Sequence, residues 1–256
     1  MTNLFTFPLW FMAAFWGMVA GTALLIGALI GYYIPIQQKI IGSIMAFGAG
    51  VLISTIAFEL MDKARKQGGF YAVAIGFLMG SLIYTVANNL LTGNGAKNRK
   101  RSGDQQVTEL PQDQRGVLLA MGALLDGVPE SIAIGIGMIK GGAVEIVTVL
   151  AIFLSNIPEG LSSSAGMKKA GRSKFFIFSI WTIIAVLSSI SSWAGYTFFF
   201  NFPDAVNATI TAFAAGAILS MLSITMMPEA YEDTQTYTGL ITVSGFLTAF
   251  ILSKSI

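Results

Sequence analysis

Cysteine and histidine are both absent from the 256 residues. Their absence excludes disulfide frameworks, Cys/His zinc sites, cysteine nucleophiles and Ser-His-Asp chemistry together. Charge is also scarce: 11% of the residues are Asp, Glu, Lys or Arg, against about a quarter in a soluble domain. With 54% apolar residues and a mean hydropathy of +0.72, the chain is not a water-soluble globule. The balance of 15 basic and 13 acidic residues gives a formal charge of +2, too small to point to a nucleic-acid partner.

What the chain has in quantity is long apolar sequence. About 20 predominantly apolar residues cross a bilayer as a helix, and eight such segments stand at approximately 9–33, 41–61, 70–91, 116–139, 143–167, 174–199, 206–228 and 237–253. The runs are continuously apolar rather than alternating, which argues against barrel strands. The first is too long for a cleaved signal peptide, lacks a basic start and is followed by Pro35, so it is read as a span. The expected fold class is an all-α polytopic membrane protein of eight transmembrane helices. The one long polar stretch, 92–115, carries Lys97, Arg99, Lys100 and Arg101 and then Asp104, Glu109 and Asp113. Its composition is that of a disordered loop, and residues 1–256 are read as a single membrane domain.

Orientation follows from Lys and Arg on alternating sides. If the N-terminus is outside, ten basic residues lie inside: Lys39, the five of the long loop with Arg115, and Lys168, Lys169, Arg172 and Lys174. Five lie outside: Lys63, Arg65, Lys66, Lys140 and Lys254. The expectation is a protein of the cell (plasma) membrane with both termini outside and 92–115 cytoplasmic.

Two internal repeats suggest an architecture. Residues 46–64 (AFGAGVLISTIAFELMDKA) align with 212–230 (AFAAGAILSMLSITMMPEA) at an offset of 166, on segments that would cross in opposite directions. Residues 125–138 (LDGVPESIAIGIGM) align with 154–167 (LSNIPEGLSSSAGM), sharing Pro129/Pro158 and Glu130/Glu159. A Pro-Glu pair duplicated inside two spans is hard to produce by chance. Inverted repeats with Pro-interrupted helices point to a secondary transporter with its site near the midplane.

The chemistry rests on Asp126, Glu130 and Glu159. A carboxylate near a bilayer centre costs roughly 2.5–3.5 kcal/mol, and no Lys or Arg lies within segments 4 and 5 to offset it. Cations or protons must neutralise these groups. Asp126 and Glu130 are i,i+4 on one helix face, and Ser155 and Glu159 repeat the spacing beside Asn156. Pro129 and Pro158 each remove a backbone donor, which frees the carbonyls of Leu125 and Leu154 as further oxygen ligands. Small residues such as Gly127, Gly135, Gly160 and Ser162 to Ser164 are expected to let helices 4 and 5 approach closely. Glu59 and Glu229 are read as either entrance-lining acids or solvated helix ends.

At these residues the sequence resembles the ZIP (Zrt/Irt-like) family of divalent-metal transporters, over essentially the whole chain. The resemblance is carried by the eight spans, the variable loop between helices 3 and 4, and the N-I-P-E-G run from Asn156 to Gly160. It implies a 3+2+3 bundle, with helices 1–3 and 6–8 as inverted repeats around the helix 4/5 pair. The family's H-N-x-P-E motif on helix 4 falls on Asp126 to Glu130, and its H-N-x-P-E-G motif on helix 5 falls on Ser155 to Gly160. Asp126 and Ser155 thus stand where metal-binding histidines are expected, Gly127 replaces an Asn, and segment 6 carries no acid between 181 and 195. The expectation is one site rather than a two-metal centre, with Asp126, Glu130, Ser155, Asn156 and Glu159 as metal ligands.

The cargo implied is a divalent cation of the Zn/Mn/Fe class. An all-oxygen donor set shifts preference toward Mn²⁺ or Fe²⁺ without excluding Zn²⁺. The metal is substrate, and no prosthetic group is expected. The partners expected are the lipid bilayer and the metal ion, with a homodimer as the one protein assembly considered. A Na⁺- or H⁺-coupled carrier of another small solute is the alternative. An intramembrane aspartyl protease needs two Asp sharing a proton, and Asp126 is the only Asp well inside a span, so the chain is read as a transporter rather than an enzyme.

Overall fold

In the computed structural model the described residues are 7–92, 112–139 and 146–255, the side chains of 112–120 excepted, and they form helices with no strand among them. The helices are α1 (Leu9–Tyr33), α2 (Gln38–Thr55), α3 (Met61–Leu91), α4 (Gln112–Gly137), α5 (Ile146–Lys169), α6 (Lys174–Phe199), α7 (Asp204–Met221), α8 (Met227–Thr234) and α9 (Tyr237–Ser255). Most of the expected loop 92–115 lies outside the described residues. Its last part does not behave as loop, because α4 begins at Gln112.

Six stretches among the described residues are long and apolar enough to cross a bilayer: Leu9–Tyr33, Gln38–Leu91, Ile146–Lys169, Lys174–Phe199, Asp204–Thr234 and Tyr237–Ser255. The Gln38–Leu91 run holds 54 residues. At 1.5 Å per residue a straight helix of that length would reach about 80 Å, far beyond a hydrocarbon core of about 30 Å. It is not straight, because Gly69 has φ 75° and ψ −177°, a conformation open to glycine at little cost. The break expected between 61 and 70 is therefore confined to one residue. Helix persists up to it, and Asp62 pairs there with Lys66 at 2.5 Å and Arg65 at 3.4 Å.

Among the described residues, two five-residue π-helical turns interrupt the bundle. Ile56–Leu60 joins α2 to α3, and Leu222–Met226 joins α7 to α8, so the two lie 166 positions apart. Each adds one residue per turn and turns the following helix face.

Large apolar side chains point outward along these helices, including Phe70, Leu78, Leu82 and Leu90 of α3 and Leu240, Leu247 and Ile251 of α9. The interior is rich in small residues, with Ala13, Ala20, Ala46, Ala49, Ala212 and Ala215 all buried beside larger ones such as Leu52, Ile152 and Met221. This is the distribution expected where lipid solvates the large residues and close backbone packing holds the helices together.

Packing is extensive within the pairs α3/α7, α1/α5, α1/α6, α2/α9 and α4/α6. Glycines sit at these seams. A Cβ at Gly50 would collide with the carbonyl oxygen of Thr242, and one at Gly216 with that of Phe77. Helices α4 and α5 scarcely touch. The close α4/α5 approach expected from small residues is therefore not what these residues do: Gly135 receives Ser192 of α6, and Gly160 receives Leu24 of α1. A glycine permits a backbone to come near without specifying which one. In outline, α1, α4, α5 and α6 form an inner set, flanked by the α2/α9 and α3/α7 pairs.

Connections meet at two ends. At one, Lys168 Nζ donates to the Tyr32 carbonyl at 2.5 Å, and Gly42 lies against Asp233 and Thr234. At the other, Lys63 Nζ donates to the Gly137 carbonyl at 2.8 Å, Gly68 lies against Ala205 and Ala208, and Ser253 donates to Glu59.

Candidate functional site

Helices α4 and α5 contain Pro129 and Pro158, and each runs through its proline without ending. Four positions toward the C-terminal end of α4 separate Asp126 from Glu130, which is about 6 Å of rise on one face. Their exposures are 3% and 2%. On α5, Ser155 and Asn156 are buried and Glu159 is half-buried.

Burial of this kind demands polar partners, and the structure supplies them from neighbouring helices. The Tyr84 hydroxyl of α3 donates to Asp126 Oδ1 at 2.6 Å, and Tyr84 is itself only 2% exposed. Asn156 Nδ2 donates to the Ala20 carbonyl of α1 at 3.0 Å. Ser155 Oγ turns back to the Ile152 carbonyl at 2.9 Å, and Ser131 Oγ, beside Glu130, to the Gly127 carbonyl at 2.8 Å. Gly48 of α2 lies near the Ser155 backbone, so α2 passes against α5 at this level. Ser164 accepts from Trp181 Nε1 at 2.7 Å, which uses part of the serine-rich face to fix α6 on α5.

Asp126 and Glu130 thus lie together on α4, and Ser155, Asn156 and Glu159 lie together on α5. Among the described residues no three acidic side chains are gathered closely enough to hold an ion. In this arrangement Asp126 of α4 is tied to α3 and Asn156 of α5 to α1. The donor chemistry is nevertheless uniform: carboxylate, amide and hydroxyl oxygen, the set that suits hard or borderline divalent cations.

Two residues were not legible as part of this region. Tyr84 sits in the apolar run IYTVANN and carries no spacing signal linking it to Asp126. Asn88, one turn further along α3, is also buried at 4%. A buried tyrosine and asparagine on one face of an otherwise apolar span was the available cue, since each needs a partner there. Glu59 lies in the first π turn, half-buried, and accepts from Ser253 of α9. Glu229 is half-buried in the first turn of α8.

The chain is similar to several known transporters. A putative zinc transporter of Arabidopsis thaliana is 25% identical over 225 residues, covering 84% of this chain and 34% of its own length. The zinc transporter ZTP29 of the same plant is 26% identical over 117 residues, covering 41% of this chain and 42% of its own. Zinc transporter ZIP11 of Homo sapiens is 24% identical over 201 residues, covering 59% and 58%. The chain therefore spans between 34% and 58% of the length of these relatives. The family profile described as ZIP Zinc transporter matches residues 88–253, a stretch that takes in α4 to α8 whole and both Pro-Glu motifs. By that match the chain belongs to the ZIP zinc transporter family.

Proposed function

We propose that this protein moves divalent metal cations across the cell membrane, and that Asp126 and Glu130 of α4 with Ser155, Asn156 and Glu159 of α5 form the oxygen site through which the ion passes. The observation that carries the reading is the burial of Asp126 and Glu130 at 3% and 2% on a proline-bearing helix of a bundle whose outer surface is apolar. Retaining charged acids in such a place costs roughly 2.5–3.5 kcal/mol each, a cost that a bound cation offsets.

Eight passes with both termini at the same end are supported by how the connections meet at two ends, by the glycine break at Gly69 and by the 26-residue length of α4, and the Lys and Arg count favours that end as the outside. An inverted-repeat 3+2+3 arrangement is supported by the two π turns at the same offset as the sequence repeat, and by the paired glycine seams at Gly50 and Gly216. The single domain is the whole bundle. Because α4 and α5 are joined mainly through α1 and α6, we take these four as the body that shifts against the α2/α9 and α3/α7 pairs. Such a shift would break the Tyr84 contact to Asp126 and free that carboxylate for an ion, reached alternately from either side. The metal is cargo and needs no prosthetic group. A homodimer is the assembly to test.

The decisive measurement is tracer uptake into proteoliposomes with Mn²⁺, Fe²⁺, Zn²⁺, Cd²⁺ and Mg²⁺, and a pH dye inside. We expect saturable divalent-metal uptake that falls at least tenfold in Glu130→Gln and in Glu159→Gln. Near-normal uptake in both variants would remove the site. Proton or sodium movement without any divalent uptake would favour a Na⁺- or H⁺-coupled carrier of another solute.

A further inference from the structure

Between α1 and α6, on the outer surface, runs a groove enclosing about 840 Å³, lined by Leu29, Tyr33, Lys174, Phe178, Thr182 and Ile183 among others. Leu29 and Tyr33 are one turn apart on α1. Lys174, Phe178 and Thr182 follow at four-residue intervals on α6, so the groove descends along the helix axis for about 12 Å from Lys174. Its wall is largely apolar along that length, Ser179 and Thr182 being the exceptions on α6. The one hydroxyl at its deep end, Thr182 Oγ1, is turned back to the Phe178 carbonyl at 2.7 Å.

The mouth of the groove is different. Lys168, Lys169, Arg172 and Lys174 fall within seven residues of chain at this end. Aromatic rings hold three of their cationic groups: Lys168 Nζ lies 4.9 Å from the Tyr32 ring centre, Lys174 Nζ 5.1 Å from that of Tyr33, and Arg172 Cζ 5.1 Å from that of Phe176. Lys168 and Lys169 also line a second cavity of about 440 Å³ beside Pro35 and Leu161. Among the described residues the acids of this end are Asp113 at the start of α4 and Glu229, Glu232 and Asp233 on α8, which packs on α2 and α9. Helices α1, α5 and α6, which form the mouth, carry no acidic residue at this end.

We propose that this groove is a binding site for an anionic phospholipid, with its phosphate and headgroup held at Lys174 and the neighbouring basic residues and one acyl chain laid between Leu29, Phe178 and Thr182. Charge complementarity selects the occupant. A cationic cluster at the bilayer interface attracts anionic headgroups, whereas the choline of a zwitterionic lipid would meet like charge there. The aromatic rings place the cluster at headgroup depth, where such side chains collect, and the lysine stems reach outward from the apolar wall. The site rests on the membrane reading of the chain and is independent of which ion is carried.

The test uses the full-length chain in neutral detergent micelles, with bound lipid counted by native mass spectrometry. Dioleoylphosphatidylglycerol, dioleoylphosphatidylcholine and inorganic phosphate serve as probes. We expect the native chain to retain phosphatidylglycerol at least fivefold better than phosphatidylcholine. Lys174→Gln should lower that preference at least threefold, and Thr182→Trp or Ser179→Trp, which fill the groove, should lower retention likewise, while Lys254→Gln at the opposite end leaves it unchanged. Equal retention of the two lipids, indifference to all groove variants, or displacement of the lipid by millimolar inorganic phosphate would overturn the proposal. Uptake is not the readout, so either result leaves the metal site to its own experiment.

Discussion

The hydroxyl of Tyr84 on α3 and the carboxylate of Asp126 on α4 meet at 2.6 Å, both side chains at most 3% exposed. This contact joins the inner set of helices to a flanking pair, and it gives a buried acid a neutral donor. A hydrogen bond to a charged group contributes about 1.5–3 kcal/mol, and removing the donor leaves the acceptor's desolvation cost unmet. Tyr84→Phe should therefore lower the melting temperature in detergent by several degrees. If the contact also holds one conformation, the variant should change the maximal uptake rate more than the half-saturating metal concentration. An unchanged melting curve together with unchanged uptake would dismiss the contact as incidental.

Asp126 occupies a position where a histidine is expected from the family motif, and ligand softness separates Zn²⁺ from Mn²⁺. Asp126→His should raise Zn²⁺ or Cd²⁺ uptake relative to Mn²⁺ several-fold in a competition assay. An unaltered ratio would count against Asp126 as a ligand.

The glycine seams make a sharper structural prediction. Gly50→Ala and Gly216→Ala place a methyl group against the backbone oxygens of Thr242 and Phe77, where no side chain can yield. Each should destabilise by at least about 2 kcal/mol. Gly239→Ala has open space around it and should melt with the native chain. Equal behaviour of all three would show that the α2/α9 and α3/α7 seams are looser than described.

Lys63 places its ammonium on the Gly137 carbonyl at the last residue of α4, where a cation offsets the exposed carbonyls and the helix dipole. Lys63→Met should speed amide exchange over residues 135–139 by about threefold or more, in keeping with roughly 1 kcal/mol of lost local stability. Unchanged exchange there would mean the end of α4 is held by other contacts.

The absence of native cysteine makes sidedness directly measurable. Single cysteines at Asn201 and Ala170, both exposed, should react from outside intact cells at position 201 and be protected at 170. The reverse pattern would invert the orientation and the direction of every gate proposed above.

Much of the fold was legible because a bilayer punishes exceptions. Continuous apolar runs of bilayer length had to become helices, and the described residues are helical over those runs, with six stretches long and apolar enough to cross a bilayer. Asp126, Glu130 and Asn156 stood out for the same reason, since polar groups inside such runs must be buried among partners, and they are. The kink at Gly69 was narrower than expected: Asp62 pairs locally with Lys66 and Arg65, and Lys63 reaches across to the Gly137 carbonyl of α4, so the preceding turn stays helical. The π turns left no residue signature, although they fall within the aligned segments 46–64 and 212–230.

By itself the sequence determined the class of structure, the helices and the chemical type of the candidate site, because these follow from composition, period and the cost of polarity in lipid. Only the tertiary structure decided that α4 packs on α6 and α5 on α1, that Tyr84 serves Asp126, and that a basic-mouthed groove lies between α1 and α6. Pairing of helices depends on which small residues face one another across a seam. Many apolar spans offer equally small faces, so that choice is settled only when all the seams close together.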